Sequence, residues 1–188
     1  MCDSHAHAAA VDAVFARAPV IPVIAIERPE DALPLCRALV EGGLPVLEIT
    51  LRTAHALDAI RAVAAALPEA CVGAGTVLSA ADMQAAVEAG ARFLIAPGAT
   101  EALYAAARAL PVPLIPGVAT ASELMRGLEL GWRRFKFFPA AASGGVAALR
   151  ALAGPLPMAR FCPTGGIDAA SAPGYLALPN VACVGGSW

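Results

Sequence analysis

The sequence predicts an α/β fold, in the form of a closed (β/α)8 TIM barrel with one extra helix before the first strand. Short apolar runs recur at nearly regular spacing, and an alanine-rich stretch follows most of them. Alternating strands and helices with short connections indicate a parallel sheet, and eight such units fit a barrel. An open doubly wound sheet is the alternative, but no GxGxxG motif follows the first run. The length fits a single domain over residues 1–188.

Each predicted strand is rich in valine, isoleucine or phenylalanine and carries few charges, which is typical of strands buried on both faces. In order, the strands are expected at 20–26, 46–51, 71–77, 93–97, 114–118, 135–139, 161–165 and 181–185.

Polar residues mark where several of the intervening helices begin. Ser79 with Asp82, and Thr120 with Glu123, have the spacing of a capping box, and Thr100 stands before another helical stretch. Glycines are expected to close helices at positions 42, 43, 90 and 131.

The two ends of the chain depart from a simple barrel. Residues 8–18 predict an extra helix that closes the bottom of the barrel. The sequence stops at Trp188, just after the eighth strand, so the final helix is expected to be absent. Either the chain is truncated at this point, or its last strand is expected to have another cover, such as a neighbouring subunit.

Composition excludes several classes of protein. Hydrophobic residues make up 59% of the chain, but prolines and glycines interrupt its longest uncharged stretches, so no membrane span is expected. A net charge of −2, with no basic cluster beyond 133–134, argues against nucleic-acid binding. The 5 cysteines are odd in number and form no CxxC pair, and no signal peptide is recognisable, which favours reduced thiols in the cytoplasm.

Lys136 is the only lysine among 13 basic residues, and it lies within the apolar run 135–139. An amine can lose its proton and attack a carbonyl, which a guanidinium cannot do. The alternative is a strand lysine that only reaches solvent or pairs with a carboxylate. Lys136 is therefore a candidate Schiff-base nucleophile.

The second predicted strand places Glu48, Thr50 and Arg52 on one face by the two-residue period. If that face is the interior, Glu48 is a candidate general acid/base, or a structural partner of Lys136 or Arg52. By the same parity, Arg134 and Phe138 are expected to share the face of Lys136. Strand ends are where barrel active sites gather.

Glycine-rich loops follow several of the predicted strands. The third ends with Thr76 and the fourth with Pro97. Glycine pairs after the last two strands are typical of a phosphate site built from backbone N–H groups, or of tight turns alone. The two loops are Thr164-Gly165-Gly166 and Gly185-Gly186-Ser187.

No metal site and no cofactor are expected. The histidines are His5, His7 and His55, and none lies at the end of a predicted strand. A covalent amine mechanism is better supported than a metal-dependent one.

Four segments resemble the KDPG/KHG aldolase family: 46–53 (VLEITLRT), 72–77 (VGAGTV), 135–139 (FKFFP) and 160–167 (RFCPTGGI). The resemblance runs from about Pro19 to Trp188. It implies a class I aldolase, usually a homotrimer. It makes Lys136 the Schiff-base lysine and Glu48 the acid/base. It assigns substrate binding to Arg52, Thr76, Pro97, Phe138, Thr164, Gly165, Gly166, Gly186 and Ser187.

The implied reaction cleaves 2-dehydro-3-deoxy-6-phospho-D-gluconate (KDPG) to pyruvate and D-glyceraldehyde 3-phosphate, as in Entner–Doudoroff metabolism. Cleavage of 4-hydroxy-2-oxoglutarate (KHG) to pyruvate and glyoxylate is expected as well. Two alternatives stay open: an aldolase for the galactonate epimer, and a non-catalytic phosphate-binding barrel. The presence of both Lys136 and Glu48 argues against the second.

Overall fold

The computed structural model describes residues 4–188. Cys2, one of the five cysteines expected to be reduced, lies outside the described residues. The helices are α1 (Ser4–Phe15), α2 (Ala32–Glu41), α3 (Ala56–Ala66), α4 (Ala80–Glu88), α5 (Glu101–Ala107), α6 (Ala121–Glu129), α7 (Gly145–Ala153) and α8 (Ala172–Leu176). A 3-10 turn, Pro29–Asp31, leads into α2. The strands are β1 (Val20–Ile24), β2 (Val46–Thr50), β3 (Cys71–Gly75), β4 (Leu94–Ile95), β5 (Leu114–Ile115), β6 (Gly117–Val118), β7 (Arg134–Phe137), β8 (Arg160–Pro163) and β9 (Val184–Gly186).

Helix caps form largely where the polar residues predict them. Thr120 accepts a hydrogen bond from the backbone of Glu123, whose side chain bonds back to the cap, which completes a capping box. Ser79 accepts from the backbone of Asp82 at 3.1 Å, but the Asp82 carboxylate accepts from Leu78 rather than from the cap residue. The first of these two predicted boxes is therefore half formed.

All strand pairs are parallel, and within residues 4–188 they form two sheets. The larger has the order β5-β4-β3-β2-β1-β9, and the smaller has the order β6-β7-β8. The prediction of a closed (β/α)8 TIM barrel is therefore wrong, because strand pairing does not run continuously around eight strands.

Strand pairing is interrupted at two places. The predicted strand 114–118 is divided at Pro116, whose nitrogen has no proton to donate, so β5 pairs with β4 while β6 pairs with β7. The second interruption lies between the smaller sheet and the last predicted strand, 181–185. There β8 and the residue after it pair only through isolated bridges, Phe161 to Val181 and Thr164 to Gly185.

The inner faces of both sheets enclose a small apolar core. It contains Ile21 and Val46 from the larger sheet and Cys162 from the smaller one. Val11 and Phe15 of α1 pack into the same cluster. The extra N-terminal helix is thus present, although it spans Ser4–Phe15 rather than 8–18, and it covers one end of this core.

A larger core lies between the outer faces of the sheets and the surrounding helices. The last strand, β9, is buried there: Val184 is fully buried, and α8 packs beside the strand. Ser187 and Trp188 follow β9 as the end of the described chain. Across residues 4–188, no helix is both long enough and apolar enough to cross a membrane.

Candidate active site

Lys136 of β7 and Glu48 of β2 meet in the interior. The Nζ atom of Lys136 donates a hydrogen bond to Oε1 of Glu48 at 3.0 Å. The two side chains are only 7% and 1% exposed. A buried ion pair rarely adds net stability, because removing both charges from water costs about as much as their attraction returns. Such a pair is therefore a candidate for chemistry.

Gly75 makes room for the carboxylate. A Cβ atom at this position of β3 would lie 2.2 Å from Oε1 of Glu48, well inside van der Waals contact. One step back on the same strand, a Cβ at Gly73 would lie 2.4 Å from the ring of Phe93. The glycines of β3 thus allow a charged group and a ring to enter the interior side by side.

Phe138 closes one side of the lysine. The Nζ atom of Lys136 lies 5.3 Å from the centre of the Phe138 ring, within the range of a cation–π contact. Gly165 backs the ring: its φ is +101°, and a Cβ there would lie 3.2 Å from Phe138 Cε2. Phe138 therefore faces Lys136, and Gly165 lies against the Phe138 ring.

Arg52 follows the end of β2 and extends toward solvent. Its Nε donates to the hydroxyl of Thr50 at 3.0 Å, and that hydroxyl donates to the carbonyl of Ile24 at 2.9 Å. Thr50 is buried. Thr50 and Arg52 are thus connected through their side chains to β1.

A pocket of about 390 Å³ lies at the end of β1, next to α2, and Arg52, Gly186 and Ser187 line it. The rest of its wall is mainly apolar and includes Trp188. Lys136 and Glu48 are not among the lining residues. We place the bond-breaking chemistry at the buried pair, because no amine that could form a Schiff base lines this pocket.

Thr164 reaches the interior from the loop after β8. It is 6% exposed, and a Cβ at Gly185 would lie 2.2 Å from its hydroxyl oxygen. Gly166 has a φ of +71°, and a Cβ there would meet the side chain of Ala141 at 2.7 Å. Gly185 thus lets Thr164 approach β9, and Gly166 lets the loop after β8 approach the turn after β7.

Thr76 and Pro97 lie at the ends of β3 and β4. Thr76 is half-buried and has a φ of 56°, in the left-handed region that non-glycine residues rarely adopt. The carbonyl oxygen of Pro97 would lie 2.2 Å from a Cβ at Gly117. Gly117 is the register partner of Lys136, so the turn at Pro97 packs against the strand segment next to the lysine.

Arg134 does not share the environment of Lys136. It forms a bidentate ion pair with Asp12 of α1, with nitrogen–oxygen distances of 2.5 Å. The pair lies at the start of β7, at the end of the interior that α1 covers. Strand parity predicts Arg134 on the same face as Lys136 and Phe138, but it does not specify which end of the strand faces the helix.

The two-residue period places Thr50 on the face of Glu48 and Arg52 but gives it no role, and no pattern in the sequence indicates the contact between Gly75 and Glu48. The signal for Thr50 was present, since the residue lies between Glu48 and Arg52 on the same face. The signal for Gly75 was weaker, because a glycine at the end of a strand is also what a tight turn requires.

Burial raises the pKa of Cys183 well above that of an ordinary thiol, and the neighbouring Cys162 and the charge of Glu48 act in the same direction. The thiol therefore stays protonated and does not compete with Lys136 as a nucleophile. Among the residues that the structure describes, no group of three or more histidine, cysteine, aspartate or glutamate side chains could hold a metal ion.

Comparison with known proteins matches this arrangement to one family. The family model "Aldolase: KDPG and KHG aldolase" matches residues 11–188. The KHG/KDPG aldolase of Escherichia coli (strain K12) is 55% identical over 177 residues, which cover 94% of this chain and 83% of the relative.

Solved structures agree. The KDPG aldolase of Legionella pneumophila, with pyruvate captured at low pH as a covalent carbinolamine intermediate, has a TM-score of 0.92 at 54% identity, covering 94% of this chain and 86% of the other. The 2-keto-3-deoxy-6-phosphogluconate aldolase of Zymomonas mobilis ZM4, with 3-phosphoglycerate, has a TM-score of 0.92 at 52% identity, covering 95% and 85%. On the extent of the family match and the identity to these relatives, the chain belongs to the KDPG and KHG aldolase family.

Proposed function

We propose that this chain is a class I aldolase that cleaves KDPG to pyruvate and D-glyceraldehyde 3-phosphate, as a lyase of Entner–Doudoroff metabolism. The observation that carries the proposal is the buried contact of 3.0 Å between Lys136 Nζ and Glu48 Oε1. Cleavage of KHG to pyruvate and glyoxylate is part of the proposal, because the Escherichia coli relative has both names.

Lys136 is the nucleophile in this mechanism. Glu48 lies within hydrogen-bonding distance of the amine and can take a proton from it. The free amine attacks the C2 ketone and forms a carbinolamine. Glu48 returns its proton to the carbinolamine hydroxyl, which leaves as water, so that an iminium ion forms and Glu48 is a carboxylate again. The iminium withdraws electrons from the adjacent carbons and so prepares the C3–C4 bond to break.

Glu48 then serves as the acid/base. Its carboxylate removes the proton of the C4 hydroxyl, the C3–C4 bond breaks, and glyceraldehyde 3-phosphate leaves. The electron pair stays on the pyruvate part as an enamine. Protonation at carbon regenerates the iminium, and water hydrolyses it to pyruvate and the free lysine.

The remaining predicted residues would hold the substrate. Arg52 offers a guanidinium for the carboxylate of the keto acid. Phe138 offers an apolar surface beside the reacting carbons. The pyruvate part would be completed by Thr76, Pro97 and Thr164. The phosphate would be held by Gly165, Gly166, Gly186 and Ser187, mainly through backbone N–H groups.

Assembly and location belong to the same proposal. We expect a homotrimer, which size-exclusion chromatography with light scattering would test. A cytoplasmic location is supported by cysteines that are buried and free in the described part of the chain: Cys36, Cys71, Cys162 and Cys183.

The test combines trapping with turnover. Borohydride with pyruvate should add one reduced three-carbon adduct at Lys136, located by peptide mass mapping, and Lys136→Met should lose both the adduct and pyruvate release. Glu48→Gln keeps a hydrogen-bond acceptor for the lysine but cannot take a proton. It should still form the adduct, although more slowly, while pyruvate release falls about 10²-fold or more.

Substrate identity is read from the same assay. Pyruvate release should be faster from KDPG than from its galactonate epimer, and KHG should also be cleaved. A faster rate on the epimer would reassign the substrate. Ligand binding with no turnover in a folded, assembled sample would refute an aldolase.

A further inference from the structure

Thr50 lies between the acid/base and the arginine on β2. Glu48, Thr50 and Arg52 alternate along one face, and Thr50 is 2% exposed. Nothing in the proposed chemistry uses its hydroxyl, yet a buried hydroxyl must find hydrogen-bond partners. Its two partners indicate what it does.

The hydroxyl has one proton, and that proton is already donated in a hydrogen bond. Oγ1 of Thr50 donates to the carbonyl oxygen of Ile24, the last residue of β1, at 2.9 Å. This donation turns a lone pair toward Arg52, whose Nε lies 3.0 Å away. The threonine is therefore a fixed acceptor for Nε rather than a freely rotating group.

Holding Nε orients the whole guanidinium, because the group is planar. The edge formed by the two terminal nitrogens is then turned away from Thr50. Within residues 4–188, no other hydrogen bond or ion pair engages Arg52. Its guanidinium is therefore available to bind an anion.

We propose that Thr50 is a positioning residue that fixes the orientation of Arg52 and so sets the affinity of the site for the carboxylate of the keto acid. This inference rests on the proposed function, in which Arg52 binds that carboxylate. An exposed arginine without this bond would sample many rotamers and would have to be ordered each time a substrate binds.

Two matched variants test the hydroxyl. Thr50→Val keeps the shape and β-branching but removes the acceptor, and it should raise KM for KDPG about tenfold while kcat changes less than about twofold. Thr50→Ser keeps the hydroxyl and should restore KM to near the native value. Thr53→Val is the control, because the Thr53 hydroxyl is buried without a hydrogen-bond partner among the described residues.

A double-mutant cycle separates positioning from general stability. If Thr50 acts through Arg52, then Thr50→Val should have little further effect on KM in an Arg52→Met background. A purely structural role would lower the melting temperature and carry the same KM penalty in both backgrounds. Equal penalties, or a rise in KM below twofold in Thr50→Val, would overturn the proposal.

A measurement of pyruvate binding distinguishes failure of the positioning role of Thr50 from failure of the proposed function. Pyruvate should raise the melting temperature of the native protein, and Thr50→Val should need about tenfold more pyruvate for the same shift. A native protein that shows this shift but no turnover would refute the aldolase and leave the positioning role standing. A native protein that shows no shift would overturn both.

Discussion

The contact between Gly75 and Glu48 gives the most direct test of the site geometry. In Gly75→Ala, the new methyl group would start 2.2 Å from Oε1 of Glu48, whereas ordinary van der Waals contact begins at 3.4 Å. The carboxylate must therefore retreat by about 1.2 Å, the difference between these distances. A displacement of about 1 Å at a reacting group can cost about 10²-fold in rate, or about 2.7 kcal/mol.

The assay is pyruvate release from KDPG under saturating substrate, with folding checked by circular dichroism. We expect kcat of Gly75→Ala to fall about 10²-fold. Gly154→Ala is the control: nothing lies within 4 Å of a Cβ there, and its φ of −64° suits alanine. It should match the native enzyme.

A second variant displaces the same carboxylate without a substitution in β3. Glu48→Asp withdraws the carboxylate by one methylene and should reduce kcat by a similar factor. If folded Gly75→Ala kept more than about half of the native kcat, the position of the Glu48 carboxylate would not limit the reaction, and the reasoning would be refuted.

Other predictions concern stability and reactivity. Thr120→Ala should lower the free energy of unfolding by about 1 kcal/mol in urea titrations, because it removes a helix cap. Burial acts to raise the pKa of Glu123, but hydrogen bonds from the backbone and the Thr120 hydroxyl hold it below its usual value. Its stabilising contribution is therefore present above the unfolded-state pKa and is lost as pH falls through the lower folded-state pKa. Glu123→Gln should destabilise the protein at about pH 7 and be nearly neutral at about pH 2. Asp12→Asn breaks the ion pair with Arg134 and should lower the Tm by about 3 °C. Burial raises the pKa of Cys36 to about 11, so iodoacetamide at about pH 8 should label this thiol only after denaturation, as read by peptide mass mapping.

Local signals in the sequence predicted much of this structure. The apolar runs located the strands, and the two-residue period placed Glu48 and Lys136 on a common interior. The capping box at Thr120 formed as its spacing indicated. Each of these features depends on a few neighbouring residues, so a single sequence is enough to detect it.

Features set by pairing between distant strands were not predictable in the same way. Pro116 divides a run that reads as one strand, and whether pairing continues past it depends on how its two neighbours approach. Asp12 and Arg134 are 122 residues apart in sequence, so no local pattern indicates their ion pair. The role of Thr50 can be recognised only from its hydrogen bond to the carbonyl of Ile24, which belongs to another strand.

The burial of Lys136 has a practical consequence for labelling. All other cationic side chains apart from the histidines are arginines, so any amine-directed reagent has one side-chain target in this protein. Because that target is 5% exposed, bulky acylating reagents should be excluded, while a small keto acid that fits the interior can react. A small pyruvate analogue, fixed by borohydride, would therefore mark a single, known side chain without any engineered handle.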